Sequence, residues 1–364
     1  MRVLVLNPGS STLKASLVEA GSAIADVEAH WPIGGEPASA VVGALLDRLP
    51  ENADAVGYRV VHGGLSYRSA TRVDDRLLAR VEELDPLAPL HNIRAAAVMR
   101  AARAGLPASP HVACFDTAFH ATLPEEGWRY PLPEDWVEQF DIRRFGFHGL
   151  SVAWSVRRAA ELLDRSVEDL RLVVAHLGSG CSVTAVDGGR SVDTTMGLTP
   201  YEGPMMGTRS GSVDPGILLE LLRNGVAADA LAEGLAERSG LLAIGGTASA
   251  RDLERRSDDR SRLALDMFAR RAAASIAGVA TTLPRIDGLV FTGGIGEHSA
   301  RMRDQIAGRL SALAIPGDLA SVAGDGLAAV GPPAIVVVEA REDLVIASEV
   351  EALLANHDLV PAAG

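Results

Sequence analysis

The 364-residue sequence has only two cysteines, only 4% aromatic residues and no excess of positive charge. Cys114 and Cys181 are too few for a disulfide framework or a cysteine-rich zinc site, which favours a reducing, cytoplasmic setting. The formal net charge of −13 provides no broad positive surface, which argues against a partner that is nucleic acid or an anionic membrane. No apolar run approaches the roughly 18 residues of a transmembrane helix, and the apolar run at the N-terminus breaks at Pro8.

Lysine is the rarest charged residue. All but one of the 34 basic residues are arginine, and the exception is Lys14. A compact ammonium can reach a phosphoryl oxygen where a planar guanidinium cannot turn. Because Lys14 follows a Gly-Ser turn, we predict that it lies at an anion site; the alternative is a lysine retained by chance.

The stretch from Leu172 to Pro215 carries the strongest pattern. An apolar segment runs into a glycine-containing turn and leaves through alternating residues, which predicts a strand, a tight loop and a second strand. The turn residues are His176, Leu177, Gly178, Ser179 and Gly180. Successive N–H groups of such a loop can bind a phosphate. Arg209, within Gly-Thr-Arg-Ser-Gly, is predicted to lie in a loop, where its planar fork is available to a carboxylate or phosphate.

Residues 3–18 repeat the strand, glycine turn and strand found at 172–186, which predicts a duplicated scaffold rather than two unrelated hairpins. Residues 289–297 form a third strand-to-glycine turn that opens a helix. The alternation of strands and helices indicates an α/β protein, and the length allows two domains. Helices are predicted over 38–49, 92–104, 151–163, 264–283 and 344–355, and a proline-containing loop over 123–140.

Two further strands end at polar residues. The strand before Gly63-Gly64 places Arg59 and His62 near its end, and the strand His111–Phe115 ends just before Asp116. Ligands of α/β proteins gather at such strand ends. Without further information, His91, His111, His120 and His176 are interpreted as structural histidines rather than site residues. Arg143 and Arg144 are read as a solvated or salt-bridged pair.

Eight motifs, taken in order along the chain, resemble those of the acetate and propionate kinase family. They are Asn7-x-Gly-Ser-Ser-Thr-x-Lys14, Arg59-Val-Val-His-Gly-Gly, Pro89-Leu-His91-Asn, Phe115-Asp116-Thr-Ala-Phe-His, Phe145-Gly-Phe-His148-Gly, His176-Leu-Gly-x-Gly, Met205-Met-Gly-Thr-Arg209-Ser-Gly and Thr292-Gly-Gly-Ile-Gly-Glu297. The resemblance implies a duplicated actin-like ATPase (ribonuclease H-like) fold of two domains with an interdomain cleft. The implied domains are 1–119 plus 343–364, and 120–342 with the nucleotide site and a homodimer interface.

The resemblance also implies reversible phosphoryl transfer from ATP to acetate with Mg²⁺, or Mn²⁺. An acetate carboxylate is already ionised, so the reaction needs alignment and charge neutralisation rather than a general base. By motif match, the implied catalytic residues are Asp116, His148 and Arg209, the last two as transition-state stabilisers. The implied substrate-binding residues are Arg59, Val61, Leu90, Phe147 and Pro200. Asn7 and Glu342, which has Asp343 beside it, are the implied Mg²⁺ ligands. The implied phosphate and nucleotide contacts are Lys14, His176, Leu177, Gly178, Ser179, Gly180, Arg251, Gly294, Ile295, Gly296, Glu297 and His298.

Departures from the family pattern leave alternatives open. The segment before Arg59 is shorter than in typical members, and several positions differ. The differing residues are Leu150, Val152, Ser179, Ser249 and His298. One methylene in an apolar pocket discriminates by about 1–3 kcal/mol, so Val61 favours acetate over propionate without excluding a propionate or other short-chain acyl kinase. A nucleotide-binding protein without transfer activity is the alternative from another class.

Overall fold

The computed structural model describes residues 1–9, 11–32, 34–49, 53–89, 91–317 and 319–357, except for the side chains of 356 and 357. The described residues fall into two compact units. The first contains those of 1–121, Phe147–Trp154 and those from Arg341 onward, and the second contains those of Thr122–Gly146 and Ser155–Ala340.

The strands and helices follow the α/β alternation expected from the sequence. The described strands are β1 (Arg2–Pro8), β2 (Thr12–Glu19), β3 (Ser22–His30), β4 (Ala55–Val60), β5 (Thr71–Arg72), β6 (His111–Phe115), β7 (Arg171–Leu177), β8 (Cys181–Asp187), β9 (Arg190–Thr194), β10 (Gly288–Thr292), β11 (Gly326–Ala329) and β12 (Ala334–Val337). The described helices are α1 (Ala38–Leu46), α2 (Asp75–Glu83), α3 (Asn92–Gly105), α4 (Glu125–Trp128), α5 (Glu134–Gln139), α6 (Gly149–Leu162), α7 (Pro215–Arg223), α8 (Ala228–Glu237), α9 (Gly240–Gly245), α10 (Ala250–Glu254), α11 (Asp259–Ala280), α12 (Gly293–His298), α13 (Ala300–Ala307) and α14 (Glu342–His357). None of these helices is long and apolar enough to cross a membrane.

The two units contain the same sheet. The first has the strand order β3-β2-β1-β4-β6-β5, and the second has β9-β8-β7-β10-β12-β11. In each, an antiparallel three-stranded meander is followed by two parallel strands and an antiparallel edge strand. Strand by strand, β1 corresponds to β7 and β4 to β10. The predicted duplication and the α/β, actin-like fold class are therefore confirmed.

Helices cover both faces of the first sheet, which explains why the inner strands are apolar throughout rather than alternating. One face packs against α1, α2 and α3 through a cluster that includes Leu4 and Leu6. On the other face Val3 and Val5 lie with Ile346 and Val350 of α14.

Gly57 of β4 is required for this packing. An added Cβ at Gly57 would lie 2.6 Å from a methyl carbon of Ile346 and 2.9 Å from one of Val350, both in α14. Such distances are shorter than van der Waals contact, so α14 can approach β4 this closely only because residue 57 has no side chain.

The predicted loop over 123–140 was wrong in part, because it contains the short helices α4 and α5. Pro124 and Pro133 stand at the N-cap positions of these helices. Proline interrupts a chain but also fits the start of a helix, so the same residue type that predicts a loop also permits a single turn. The helix predicted over 264–283 begins five residues earlier, where the Asp258 side chain accepts a hydrogen bond from the backbone N–H of Ser261.

Candidate active site

Arg59 and Asp116 form the centre of a buried polar cluster in the first unit. Strands β4 and β6 are parallel, with Val60 opposite Phe115, so Arg59 and Asp116 project at the same end of the sheet. Arg59 Nε donates to Asp116 Oδ1 at 3.0 Å and Nη2 to Oδ2 at 2.7 Å. The Asp116 side chain is only 1% exposed. The carboxylate therefore fixes the guanidinium plane through two parallel hydrogen bonds.

The remaining nitrogen of the Arg59 fork points to two other predicted site residues. Nη1 lies 3.4 Å from Asn7 Oδ1 and 3.2 Å from Glu342 Oε2. Asn7 Nδ2 donates to the same Glu342 oxygen at 2.9 Å. Residues from β1, β4, the end of β6 and the first turn of α14 thus meet in one hydrogen-bonded cluster. Asp343, in contrast, pairs with Arg341 at 2.6 Å.

The electrostatics of the cluster follow from its burial. Burial raises the pKa of Asp116, and the neighbouring Arg59 opposes that shift. Burial would also lower the pKa of Arg59, but Asp116 and then Glu342 outweigh it, so the pKa of Arg59 is raised and the side chain stays cationic. The single guanidinium of Arg59 thus faces two carboxylates, those of Asp116 and Glu342.

The Phe147-His148-Gly149 turn lies directly against Asp116. The His148 backbone N–H donates to the Asp116 carboxylate, and the Gly149 N–H donates to the Asp116 carbonyl at 3.0 Å. His148 has φ +57°, a left-handed conformation that is unusual for a residue with a side chain. An added Cβ at Gly149 would lie 2.1 Å from the Asp116 carbonyl oxygen. The glycine after His148 therefore permits the turn to contact Asp116.

Of the predicted acyl-pocket residues of the first unit, Phe147 belongs to this turn, and Val61 precedes His62, whose ring contacts Phe147. Val61 and Phe147 are 7% and 1% exposed. The rings of Phe147 and His62 meet edge to face with centroids 5.4 Å apart. His120 Nε2 bonds the Phe147 carbonyl at 3.0 Å. Leu90 lies outside the described residues.

Lys14 is placed by the first hairpin. In the β1–β2 ladder Lys14 is directly opposite Asn7, so the two side chains lie on the same face of the sheet. The Lys14 side chain is exposed. The sole lysine of the chain is thus a neighbour of the Asn7 end of the cluster.

The glycine loop of the second unit has the predicted form. β7 ends at Leu177, which pairs with Cys181 of β8, and the Gly178 N–H donates to the Gly180 carbonyl at 2.9 Å. Ser179 at the tip is exposed, whereas His176 is 8% exposed.

The turn from β10 into α12 packs against this loop. Gly293 has φ +76°, and an added Cβ there would lie 2.9 Å from the backbone of Leu177. Gly294 is exposed, while Gly296 is buried in the short helix. These contacts bring the two glycine-rich segments of the second unit together.

Glu297 and His298 differ in their surroundings. Glu297 Oε1 accepts a hydrogen bond from the Ala340 N–H at 3.0 Å, and burial raises its pKa. His298 is 78% exposed and lies 3.9 Å from the Glu297 carboxylate.

Arg209 lies in a loop, as predicted. Its Nη1 donates to the Pro200 carbonyl at 3.2 Å, and its own carbonyl accepts from the Met206 N–H at 3.1 Å. Gly207 N–H donates to the Ser179 carbonyl at 3.2 Å, which links the Arg209 loop to the β7–β8 loop. Arg251, another predicted residue of the second unit, is exposed on α10.

Comparison with known proteins shows which family the chain resembles. Residues 39–348 match the model of the acetokinase family. A Synechococcus acetate kinase is 41% identical, and the alignment covers 97% of this chain and 99% of that protein.

The chain belongs to the acetokinase family.

Solved structures of the family agree in fold. The crystal structure of Porphyromonas gingivalis acetate kinase has a TM-score of 0.86 at 31% identity, covering 97% of this chain and 99% of that one. A Francisella tularensis propionate kinase has a TM-score of 0.85 at 32% identity, covering 96% and 98%. Membership of the acetate and propionate kinase family, predicted from the sequence motifs, is thereby confirmed.

Three departures from the acetokinase pattern, Leu150, Val152 and Ser249, have local explanations in the structure. Val152 and Leu150 are buried at 0% and 2% exposure, and Leu150 joins the apolar cluster with Val345 of α14. Ser249 caps α10 by accepting a hydrogen bond from the Asp252 N–H at 3.2 Å. Apolar side chains therefore suit the buried positions 150 and 152, and a serine suits the N-cap position 249.

Sequence reasoning missed two residues that hold chain segments next to the predicted site residues Val61 and Asn7. Asn92 accepts from the His62 N–H at 3.1 Å and donates to the His62 carbonyl at 3.0 Å, holding the chain just after Val61. Arg94, two residues later, contacts the first hairpin. Asn92 is the last residue of the Pro89-Leu-His91-Asn motif, whereas Arg94 has no local sequence signal beyond being an arginine early in a helix.

Proposed function

We propose that the chain transfers the γ-phosphoryl group of ATP directly to acetate, giving acetyl phosphate and ADP, in a reversible in-line reaction. The observation that carries this proposal is the Arg59 fork, whose Nε and Nη2 are fixed by Asp116 while Nη1 faces Asn7 and Glu342. An oriented guanidinium of this kind suits an anionic substrate, and membership of the acetokinase family supplies the reaction.

Each side chain has a role that follows from charge. We assign Arg59 to the acetate carboxylate and Asp116 to the orientation of Arg59. Arg209 and His148 are assigned to the phosphoryl oxygens, where charge spreads in the transition state. Preorganised donors of this type contribute about 3 kcal/mol each to the lowering of the barrier. No general base is required, because acetate is ionised at neutral pH.

The donors near Arg59 fit a magnesium ion held largely through water. Asn7 and Glu342 offer an amide oxygen and a carboxylate, which are the hard oxygen ligands that Mg²⁺ takes. Among the described residues there is no group of three or more His, Cys, Asp or Glu side chains able to hold a metal ion. We therefore propose that these two residues hold the ion together with water and the ATP phosphates. When bound, Mg²⁺ neutralises phosphate charge.

The nucleotide is assigned to the second unit together with Lys14. The loop from His176 to Gly180 provides backbone N–H groups for phosphates. Lys14 provides a point charge, because its exposed ammonium is not confined to one planar geometry. The remaining assigned contacts are Arg251, Gly294, Ile295, Gly296, Glu297 and His298.

Acetate is the preferred acid in this proposal, with propionate as the second candidate. Val61, Phe147 and Pro200 are assigned to the methyl group, and Val61 limits its size. Similarity to a propionate kinase favours keeping the second candidate. A pocket of this kind discriminates one methylene by about 1–3 kcal/mol.

The test is an acyl hydroxamate assay with ATP and Mg²⁺ on acetate, propionate and butyrate. We expect acetate-dependent product that falls by about 100-fold or more in Arg209→Ala. Arg100→Ala is the control, because Arg100 lies on the surface and pairs with Glu82. A folded wild-type chain that forms no acyl phosphate from any of these acids would refute the proposed reaction.

We also propose a cytoplasmic homodimer. Every residue of α7 is at least partly exposed, and Ile217, Leu219 and Leu222 are 51%, 53% and 43% exposed. The exposed apolar side chains of such a helix are more stable when buried against a second copy of the chain than when exposed to water. Leu219→Glu is expected to lower the mass measured by light scattering to that of a monomer. Val330→Glu, at an isolated residue that is 87% exposed, is the matched control. A wild-type monomer would contradict the dimer.

The cytoplasmic location is supported by Cys114 and Cys181, which are buried and form no disulfide.

A further inference from the structure

Arg94 is a nearly buried arginine on α3, only 8% exposed, and its side chain reaches the first hairpin. Nε donates to the Gly9 carbonyl at 3.1 Å, and Nη2 donates to the Trp31 carbonyl at 2.5 Å. The guanidinium carbon lies 3.7 Å from the centroid of the Trp31 ring. Arg94 therefore bonds two backbone carbonyls and stacks on an aromatic ring at the same time.

The two carbonyls belong to segments that define the hairpin turn. Gly9 follows β1 and is two residues beyond Asn7; its N–H donates to the Thr12 carbonyl at 2.8 Å, which closes the turn. Trp31 follows β3, and its N–H donates to the Ser11 carbonyl at 2.8 Å. The Arg94 guanidinium thus binds the β1–β2 turn at the Gly9 carbonyl and the end of β3 at the Trp31 carbonyl.

The chemistry of arginine suits this position. A planar guanidinium can donate in two directions in its plane while its face stacks on an indole. A lysine ammonium in the same place can neither stack in this manner nor serve both carbonyls with fixed geometry. Trp31 is itself 6% exposed and anchored through Nε1 to the Glu36 carbonyl at 2.9 Å, so the platform for the stack is fixed.

We propose that Arg94 is a positioning residue for nucleotide binding: by fixing the Gly9 turn it sets Asn7 and Lys14, which face each other in the β1–β2 ladder, for the phosphates of ATP. This inference rests on the proposed function, which assigns Asn7 and Lys14 to the metal and phosphates.

The acyl side has its own anchor on the same helix. Asn92 bonds both the N–H and the carbonyl of His62 and donates to the Val81 carbonyl at 3.2 Å. Loss of Arg94 releases the hairpin but leaves these three bonds in place. The two substrates should therefore respond differently, which separates a positioning role from a general loss of structure.

The experiment measures kcat, KM for ATP and KM for acetate in the full chain, together with ADP affinity by calorimetry without acetate. We expect Arg94→Ala to raise KM for ATP and weaken ADP binding by about tenfold or more, since a misplacement of about 1 Å costs up to about 100-fold. KM for acetate should change by less than about twofold. Arg94→Lys should recover only part of the loss, and Trp31→Ala should shift the same constants in the same direction. Trp31→Phe keeps an aromatic face and should stay near wild type.

Arg100→Ala is the control on the same helix, because Arg100 is exposed and pairs with Glu82. Unchanged ATP and ADP constants in Arg94→Ala and Trp31→Ala would overturn the inference. An equal rise of KM for ATP and acetate would also overturn it. If the wild type makes no acyl phosphate while Arg94→Ala still weakens ADP binding, the proposed reaction fails and the role of Arg94 in nucleotide binding stands.

Discussion

His120 makes the stability of the first unit depend on pH. The side chain is 1% exposed, and burial lowers its pKa to about 4, with the hydrogen bond to the Phe147 carbonyl opposing the shift. In the unfolded chain the same imidazole titrates near 6.5. His120 is thus neutral in the folded protein under conditions in which an exposed histidine is already charged.

The sign and size of the effect follow from these two values. Between pH 6.5 and 4 the unfolded chain binds a proton at His120 that the folded chain does not, so the free energy of unfolding falls as pH falls. The His120 contribution is complete above about pH 6.5 and is lost by about pH 4. At about 1.4 kcal/mol per pKa unit, the loss is about 3 kcal/mol.

The measurement is urea unfolding of wild type and His120→Gln from pH 7 down to pH 4. Glutamine does not titrate, and its amide can still donate to the Phe147 carbonyl. We expect the variant to lose about 3 kcal/mol less than wild type over this range. His298→Gln, at an exposed histidine, is the control. Superimposable pH profiles for wild type and His120→Gln would refute the argument from burial.

Three further predictions concern the cluster and its neighbours. Asp116→Asn should lower the free energy of unfolding by about 3 kcal/mol in urea, because Arg59 loses the more deeply buried of its two counter-charges; equal midpoints would contradict the pairing. Val61→Ala should raise the ratio of kcat/KM for propionate over acetate by about tenfold, checked with both acids under one set of conditions. Gly149→Ala should unfold at a clearly lower temperature because its Cβ would meet the Asp116 carbonyl at 2.1 Å, whereas Gly278→Ala, with no neighbour within 4 Å, should not.

Glycine turns between apolar strands made much of the fold predictable. The hairpins β1–β2 and β7–β8, and the turn from β10 into α12, all lie where the sequence places them. The β9 strand escaped notice although Gly188 and Gly189, with φ +54° and +80°, carry the signal of a two-residue hairpin turn. The two-residue β5 has no periodicity to detect, because its pairing with β6 depends on tertiary structure.

The polar cluster was predictable residue by residue but not as a geometry. Motifs named Asn7, Arg59 and Asp116, yet they did not separate Glu342 from Asp343. In the structure Glu342 contacts Arg59, whereas Asp343 pairs with Arg341. The contacts of Arg94 could not be predicted from the sequence, for a different reason. Its partners lie 85 and 63 positions away in the chain, and no local pattern encodes contacts at that separation.

The position of α14 has a consequence for how the chain is made. The helix that packs on β1 and β4 is encoded at the opposite end of the sequence, after the whole stretch Ser155–Ala340 of the second unit. A ribosome adding about 5–20 residues per second needs on the order of 10–40 s to cross that stretch. During this interval Val3 and Val5 emerge without Ile346 and Val350. The nascent chain therefore presents one apolar face of its first sheet to chaperones before α14 is made and can cover it.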